Sequence, residues 1–197
     1  MLQIRITSKD GKQPMIKSIF NTLVLASCVS LTDAAIAATP ANNTSLSSEQ
    51  QGIHQWQVLG GKLVLITGTY QDVLAYKRSL TFYFESKPGE AWMHAPIIDG
   101  DKRNALTWLS ISQGEQTVAD AAVVTRANGV ELVIAETKPR VLAPISVTWY
   151  RFNEAGEEET DGPSYFFKKT SSTSYPGNAK LTVEQVLKKE VAARMKK

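Results

Sequence analysis

The chain has 197 residues, 43% of them hydrophobic and 21% charged, which suits one globular domain with a substantial core and excludes a disordered chain or a multi-span membrane protein. Its formal net charge of +3 is too small to steer a polyanion, so no nucleic-acid partner is expected. Residues 1–37 hold Arg5, Lys9, Lys12 and Lys17 against Asp10 and Asp33, and without them the balance falls to 18 basic and 17 acidic side chains, or +1.

Residues 1–14 differ in character from the segment after them. A second methionine, Met15, opens MIKSIFNTLVLASCVSLTDAAIA, with Lys17 near its start, an apolar middle and Ala35-Ile36-Ala37 at its end. That is the shape of a secretory signal peptide, so Met15 is read as the start and cleavage is expected after Ala37. Asn21, Thr22, Ser27, Ser30 and Thr32 interrupt the run, and it is short for a membrane span. An alternative lies inside it. Leu25-Ala26-Ser27-Cys28 resembles the lipobox of bacterial lipoproteins, which implies lipidation of Cys28 and a membrane anchor. It departs from that pattern because apolar residues continue to Ala37. Both readings predict export, to the periplasm or medium in the first and to a lipid-anchored place in the envelope in the second. Cys28 is the single cysteine, so no intramolecular disulfide is possible.

Residues 38–51, ATPANNTSLSSEQQ, are polar and lack periodicity, and they read as a flexible leader. From there residues 52–197 read as one β-rich domain. His54, Trp56 and Val58 alternate with Gln55 and Gln57 before the turn at Leu59-Gly60-Gly61. Lys62–Tyr70 comes next, and Leu80, Phe82 and Phe84 then form one apolar face opposite Thr81, Tyr83 and Glu85. Lys87-Pro88-Gly89 turns into a run from Trp92 to Ile98, where Pro96 argues for an edge or a strand end. Asp99-Gly100-Asp101 turns again, and residues 106–111 form a short strand.

The most informative stretch is Thr117–Glu136, two apolar runs joined at Asn128-Gly129, a strong hairpin signal. With those two residues as the loop, Arg126 faces Glu131 as a cross-strand ion pair, Val124 faces Val133 and Val123 faces Ile134. Both faces are apolar, which places the hairpin mid-sheet with cover above and below. Ile145, Val147 and Trp149 alternate with Ser146, Thr148 and Tyr150, and Tyr165–Lys168 pairs back across an acidic loop. About nine short strands at this spacing predict an all-β fold, an antiparallel β-sandwich or barrel built from consecutive hairpins. The last segment changes period. Val183, Val186, Leu187 and Val191 fall at helical spacing behind a Thr182/Gln185 capping box, so one C-terminal helix is predicted over 182–195, docked on the sandwich or covering its edge.

Catalytic signatures are absent: no Gly-x-Ser-x-Gly, Ser-x-x-Lys, His-Glu-x-x-His or phosphate-binding glycine loop occurs. No cofactor is implied, and no metal site, because neither histidine has a second ligand at suitable spacing. His54 and His94 both read as half-buried histidines satisfied by backbone. Trp108 and Trp149 read as core residues. The candidate binding residues are Trp92, His94, Tyr83 and Tyr150, aromatic groups on strand faces able to form a stacking platform. The chain is accordingly expected to be an exported, non-enzymatic binding protein of the bacterial periplasm or envelope, contacting a protein or a small ligand, with a membrane association only if Cys28 is lipidated. Two alternatives remain open: an immunity or self-resistance protein against a toxin or antibiotic, and a hydrolase whose Ser, His and acid assemble from distant positions.

Overall fold

A computed structural model describes residues 44–71, 73, 75–100, 104–113, 116–139, 143–156 and 161–196. The export segment with Cys28 and Ala37, the first part of the leader, Asp101 and Glu157–Glu159 of the acidic loop lie outside the described residues. The elements are β1 (Thr44–Ser47), β2 (Gly52–Val58), β3 (Gly61–Gln71), β4 (Ala75–Glu85), β5 (Met93–His94), β6 (Ile97–Ile98), β7 (Asn104–Ala105), β8 (Thr107–Gln113), β9 (Gln116–Arg126), β10 (Gly129–Thr137), β11 (Ile145–Glu154), β12 (Tyr165–Tyr175) and α1 (Val183–Met195). The fold is all-β with one C-terminal helix, as the hairpin pattern predicts.

The strands form a single large sheet in the order β2-β3-β4-β8-β9-β10-β11-β12-β6-β7, with β1 on β9 and β5 on β4. The path is open, so the sheet is not a closed barrel. One pairing departs from the antiparallel expectation: β6 runs parallel to β12, Ile97 opposite Phe167. Pro96 explains the break between β5 and β6. Lacking an N–H, it cannot continue a ladder as donor, yet its carbonyl accepts from the Phe167 N–H at 2.8 Å.

Alternation along the strands builds two cores on opposite sides of β9 and β10. The first gathers Leu63, Leu65, Leu80 and Phe82 with Val123, Leu132, Tyr150 and Phe167, uniting the two ends of the sheet. The second contains Ala122, Val124, Val133, Ala135, Ile145, Val147 and Trp149 under Val183, Val186 and Leu187 of α1. The helix therefore docks on a face of the sheet. Its start is the expected capping box, in which Thr182 Oγ1 accepts from the Gln185 N–H at 3.2 Å and Gln185 Oε1 accepts from the Thr182 N–H at 3.0 Å. Burying its three apolar side chains contributes about 1.5–3 kcal/mol each.

The central hairpin forms, with a register two residues from the expected one. Ala127 and Asn128 make the turn, Gly129 opposes Arg126 and Glu131 opposes Val124. Gly129, at φ +123°, supplies the positive dihedral one residue later than an Asn-Gly loop does. This is a two-residue loop placed one position earlier than expected, with the glycine as the first paired residue of β10. A slip of two preserves the side-chain period, so Val123 and Ile134 still share one core and Val124 and Val133 the other. A slip of one would have turned every side chain over.

Residues 44–47, expected within the leader, instead form β1 on the far half of β9: Ala122–Thr125 pair with β1, while β8 pairs with the near half. At this hand-over sits Asp120, 8% exposed. Its Oδ1 accepts from Ser48 Oγ at 2.5 Å, Ser110 Oγ at 3.2 Å and the Ala121 N–H at 2.8 Å. Burial pushes its carboxyl above the ordinary 3.8, partly opposed by these donors. The neutral form is thus favoured by folding, and the stability tied to this group rises as pH falls from neutral through the folded value. All three hydrogen bonds use one oxygen, which an amide retains. Asp120→Asn is therefore expected to raise the urea midpoint at pH 7 and to remove this acid-side gain; a lowered midpoint at pH 7 would show that the charge itself holds the joint.

Candidate functional site

Three of the four candidate binding residues come together. Tyr83 on β4 lies directly opposite His94 on β5, their ring centroids 4.4 Å apart. Trp92 stacks obliquely on the other side of Tyr83 at 5.9 Å and is 41% exposed. The period of two produces this grouping. Leu80, Phe82 and Phe84 face inward, which sends Tyr83 to the opposite side of β4. There, Gln55, Val64, Tyr83 and His94 form one row across β2, β3, β4 and β5. Ile53, Ile66, Thr81 and Thr107 form the next, with the two threonine hydroxyls 2.8 Å apart. Gly68, Ser79 and Leu109 form the third.

These three rows carry no charged side chain. The charges lie at the margins, with Lys77 at one end and the Lys62–Glu85 ion pair at the other. The Lys62 ammonium and, after it, the Gly89 N–H at 2.8 Å hold the Glu85 carboxyl below its ordinary 4.5, with a smaller contribution from the Trp92 side chain. Ile53, Leu109 and Trp92 are exposed on it at 60%, 42% and 41%, whereas Val64 beside Tyr83 is fully buried, so the surface is apolar and exposed at these three positions rather than throughout.

Tyr150 does not belong to this face. It is 5% exposed within the first core. Both sides of β11 are covered, one by α1 and the other by the opposite end of the sheet, so the polar-looking alternation around Tyr150 did not mark a solvent side. Burial, followed by the charges of Asp99 and Glu136, pushes its hydroxyl up to about 12. Trp149 is buried as expected, and Trp108 packs partly buried against the first core.

Among the described residues, the expected backbone partner is found for His54 but not for His94 Nδ1. His54 Nε2 contacts the Gln50 carbonyl at 3.1 Å, and its ring stacks along Trp56 at 6.4 Å. His94 Nδ1 is buried without a hydrogen-bond partner among the described residues. No grouping of His, Cys, Asp and Glu able to hold a metal ion occurs among the described residues. No helix among them is long and apolar enough to cross a membrane.

One cluster is predicted only in its Arg126–Glu131 ion pair. Glu131, 1% exposed on β10, is gripped by Arg194 of α1 through Nε at 2.8 Å and Nη2 at 2.6 Å, and by Arg151 Nη2 of β11 at 2.9 Å. Arg126 lies diagonally across β9 at 3.9 Å rather than directly opposite. Burial opposes ionisation of Glu131, but the hydrogen bonds from Arg194 and Arg151 outweigh it and hold the carboxyl below 4.5. The Arg194 guanidinium also lies 4.9 Å from the Trp149 ring centroid, and Trp149 Nε1 donates to Glu190 at 3.0 Å. Tyr175 donates to the same carboxylate at 2.5 Å, and that bond first, then burial, raises its hydroxyl to about 12. The signal available in the sequence was an acidic residue inside the apolar run VELVIA.

No protein family matches the chain, and no curated protein is similar to it at a significant level. Among solved structures, the chain is similar to the crystal structure of CarG, with a TM-score of 0.53 and 15% identity over 69% of this chain and 94% of that one. At that identity the likeness concerns the fold.

Proposed function

We propose that this is an exported, non-enzymatic binding protein of the bacterial periplasm or envelope, which contacts a partner protein through the open face centred on Tyr83, Trp92 and His94. The observation that carries this reading is the asymmetry of the sheet. Its face over β9–β11 is covered by α1, while three adjoining uncharged rows over β2, β3, β4 and β8 carry exposed Ile53, Leu109 and Trp92 around a buried Val64. Exposed large apolar groups spread over several strands suit a protein partner, with an aromatic anchor and an uncharged centre. Trp92 is the natural anchor, large and half-exposed. Export rests on the Met15–Ala37 segment read from the sequence.

A photo-crosslinking residue at position 92, compared with one at Lys188 on α1, tests the face in envelope extracts. A discrete adduct from position 92 alone is expected, and Trp92→Ala should weaken the captured complex by about 2 kcal/mol, roughly thirty-fold. Equal adducts from both positions, or none from 92, would count against the reading. Mass spectrometry of the mature N-terminus reports on export: Ala38 supports a cleaved signal, a lipidated Cys28 supports the anchored alternative, and an intact cytosolic chain contradicts both. The hydrolase alternative requires turnover that disappears in His94→Ala with folding intact.

A further inference from the structure

We infer that the end of the sheet formed by Arg126, Gly129, Arg151 and Arg194 is a binding site for a small oxyanion, a carboxylate or phosphate group. This end of the sheet is separate from the aromatic face, and its charges do not balance. Three guanidinium groups converge on one carboxylate, that of Glu131. Its two oxygens already accept two N–H bonds from Arg194 and one from Arg151. Arg126 stands at 3.9 Å, beyond hydrogen-bond distance, with its side chain 17% exposed. Arg151 Nε is buried without a partner among the described residues, although the side chain as a whole is 39% exposed. Buried donors of a charged group are costly to leave unsatisfied, and neither Arg126 nor Arg151 Nε finds an acceptor on Glu131 within hydrogen-bond distance.

The backbone leaves room for the missing acceptor. Gly129 opposes Arg126 and stands two residues from Glu131, so all three share one face, as does Arg151 opposite Glu131. A Cβ built on Gly129 would meet nothing within 4 Å. The glycine therefore leaves open space beside Arg126, one row from the Glu131–Arg151 pair. An anion in this space gains guanidinium donors, whose planar forks match the geometry of carboxylates and phosphates. Glu190, the other nearby acid, is occupied by Trp149 and Tyr175. The terminal carbonyls of α1 repel an anion, which favours a ligand seated over Gly129 rather than at the helix end.

Amide and arginine side-chain NMR of the full chain, titrated with sodium phosphate and separately with sodium acetate against sodium chloride of equal ionic strength, tests the site. Saturable shifts at Gly129 and at the Arg126 and Arg151 side chains are expected. Response to both salts indicates a general oxyanion site, and response to one alone identifies the phosphate or the carboxylate as the ligand chemistry. No saturable shift with either salt overturns the inference. Arg126→Gln should weaken the response at least about ten-fold while keeping the urea midpoint, because Arg126 is the arginine least engaged with Glu131. Arg126→Lys, which keeps the charge but loses the fork, should fall between the two. An undiminished response in Arg126→Gln would also overturn the inference.

Discussion

Replacing Phe82 with alanine is expected to cost about 3–5 kcal/mol, the range for removing a large aromatic from a core that cannot collapse around the cavity. Phe82 is 1% exposed, and its ring lies 4.5 Å from that of Phe167. Phe82 belongs to β4 and Phe167 to β12, so the pair joins the two ends of the sheet through side chains. Phe167 also packs edge-on against Phe152, which stacks along Phe84 and Tyr165. This rigid group leaves little to move into the space. Total stability of a domain this size is about 5–15 kcal/mol, so the variant should lose much of its denaturant resistance. Urea unfolding followed by tryptophan fluorescence measures it. A loss below about 1 kcal/mol would mean that the sheet ends are held by the backbone ladder and not by this packing.

Glu131→Ala is the second large effect, expected at about 3 kcal/mol, the lower end for breaking a buried ion pair. The lower end applies because the arginines left behind are partly exposed, with Arg194 at 26% and Arg151 at 39%, and regain some hydration. The loss should concentrate at α1, since Arg194 is the helix residue that grips Glu131 from 63 positions away. Amide exchange in the last turns of the helix should accelerate before global unfolding does. The pH dependence follows from the lowered carboxyl. Glu131 contributes its full stabilisation above the ordinary value of 4.5, and the contribution is lost as pH falls from there through the folded value. The gap between wild type and Glu131→Ala should therefore narrow in acid. A gap that stays constant down to strong acid would show that packing, and not charge, produces the effect.

Much of this fold is legible wherever the side-chain period is strong. Leu80, Phe82 and Phe84 announce their face, and Thr182 with Gln185 announces the helix start to within one residue. The hairpin at Asn128 is visible, but its register is not, because a two-residue loop at Ala127-Asn128 and one at Asn128-Gly129 use the same letters and share the same side-chain parity. β1 is hidden because Thr44–Ser47 shows no apolar alternation. It is recruited by the exposed edge that β8 vacates on β9, a tertiary event. β12 runs on past Lys168 to Tyr175 for the same reason, its Lys, Ser and Thr residues paired to β11 while facing solvent. Of the candidate site, Tyr83, Trp92 and His94 could be proposed from strand faces. Tyr150 could not be excluded, since its burial depends on which elements cover β11.

The parallel contact of β6 with β12 also sets an order of events in time. Ile97 and Ile98 find their partners only once Phe167 and Lys168 exist, about seventy residues later in synthesis. Until then Phe82 has no ring to meet, and the early hairpins expose apolar surface to the solvent. Contacts that distant in sequence close slowly. A nascent chain of this protein should thus remain open and susceptible to proteases until its final strand emerges, and then shut in one concerted step.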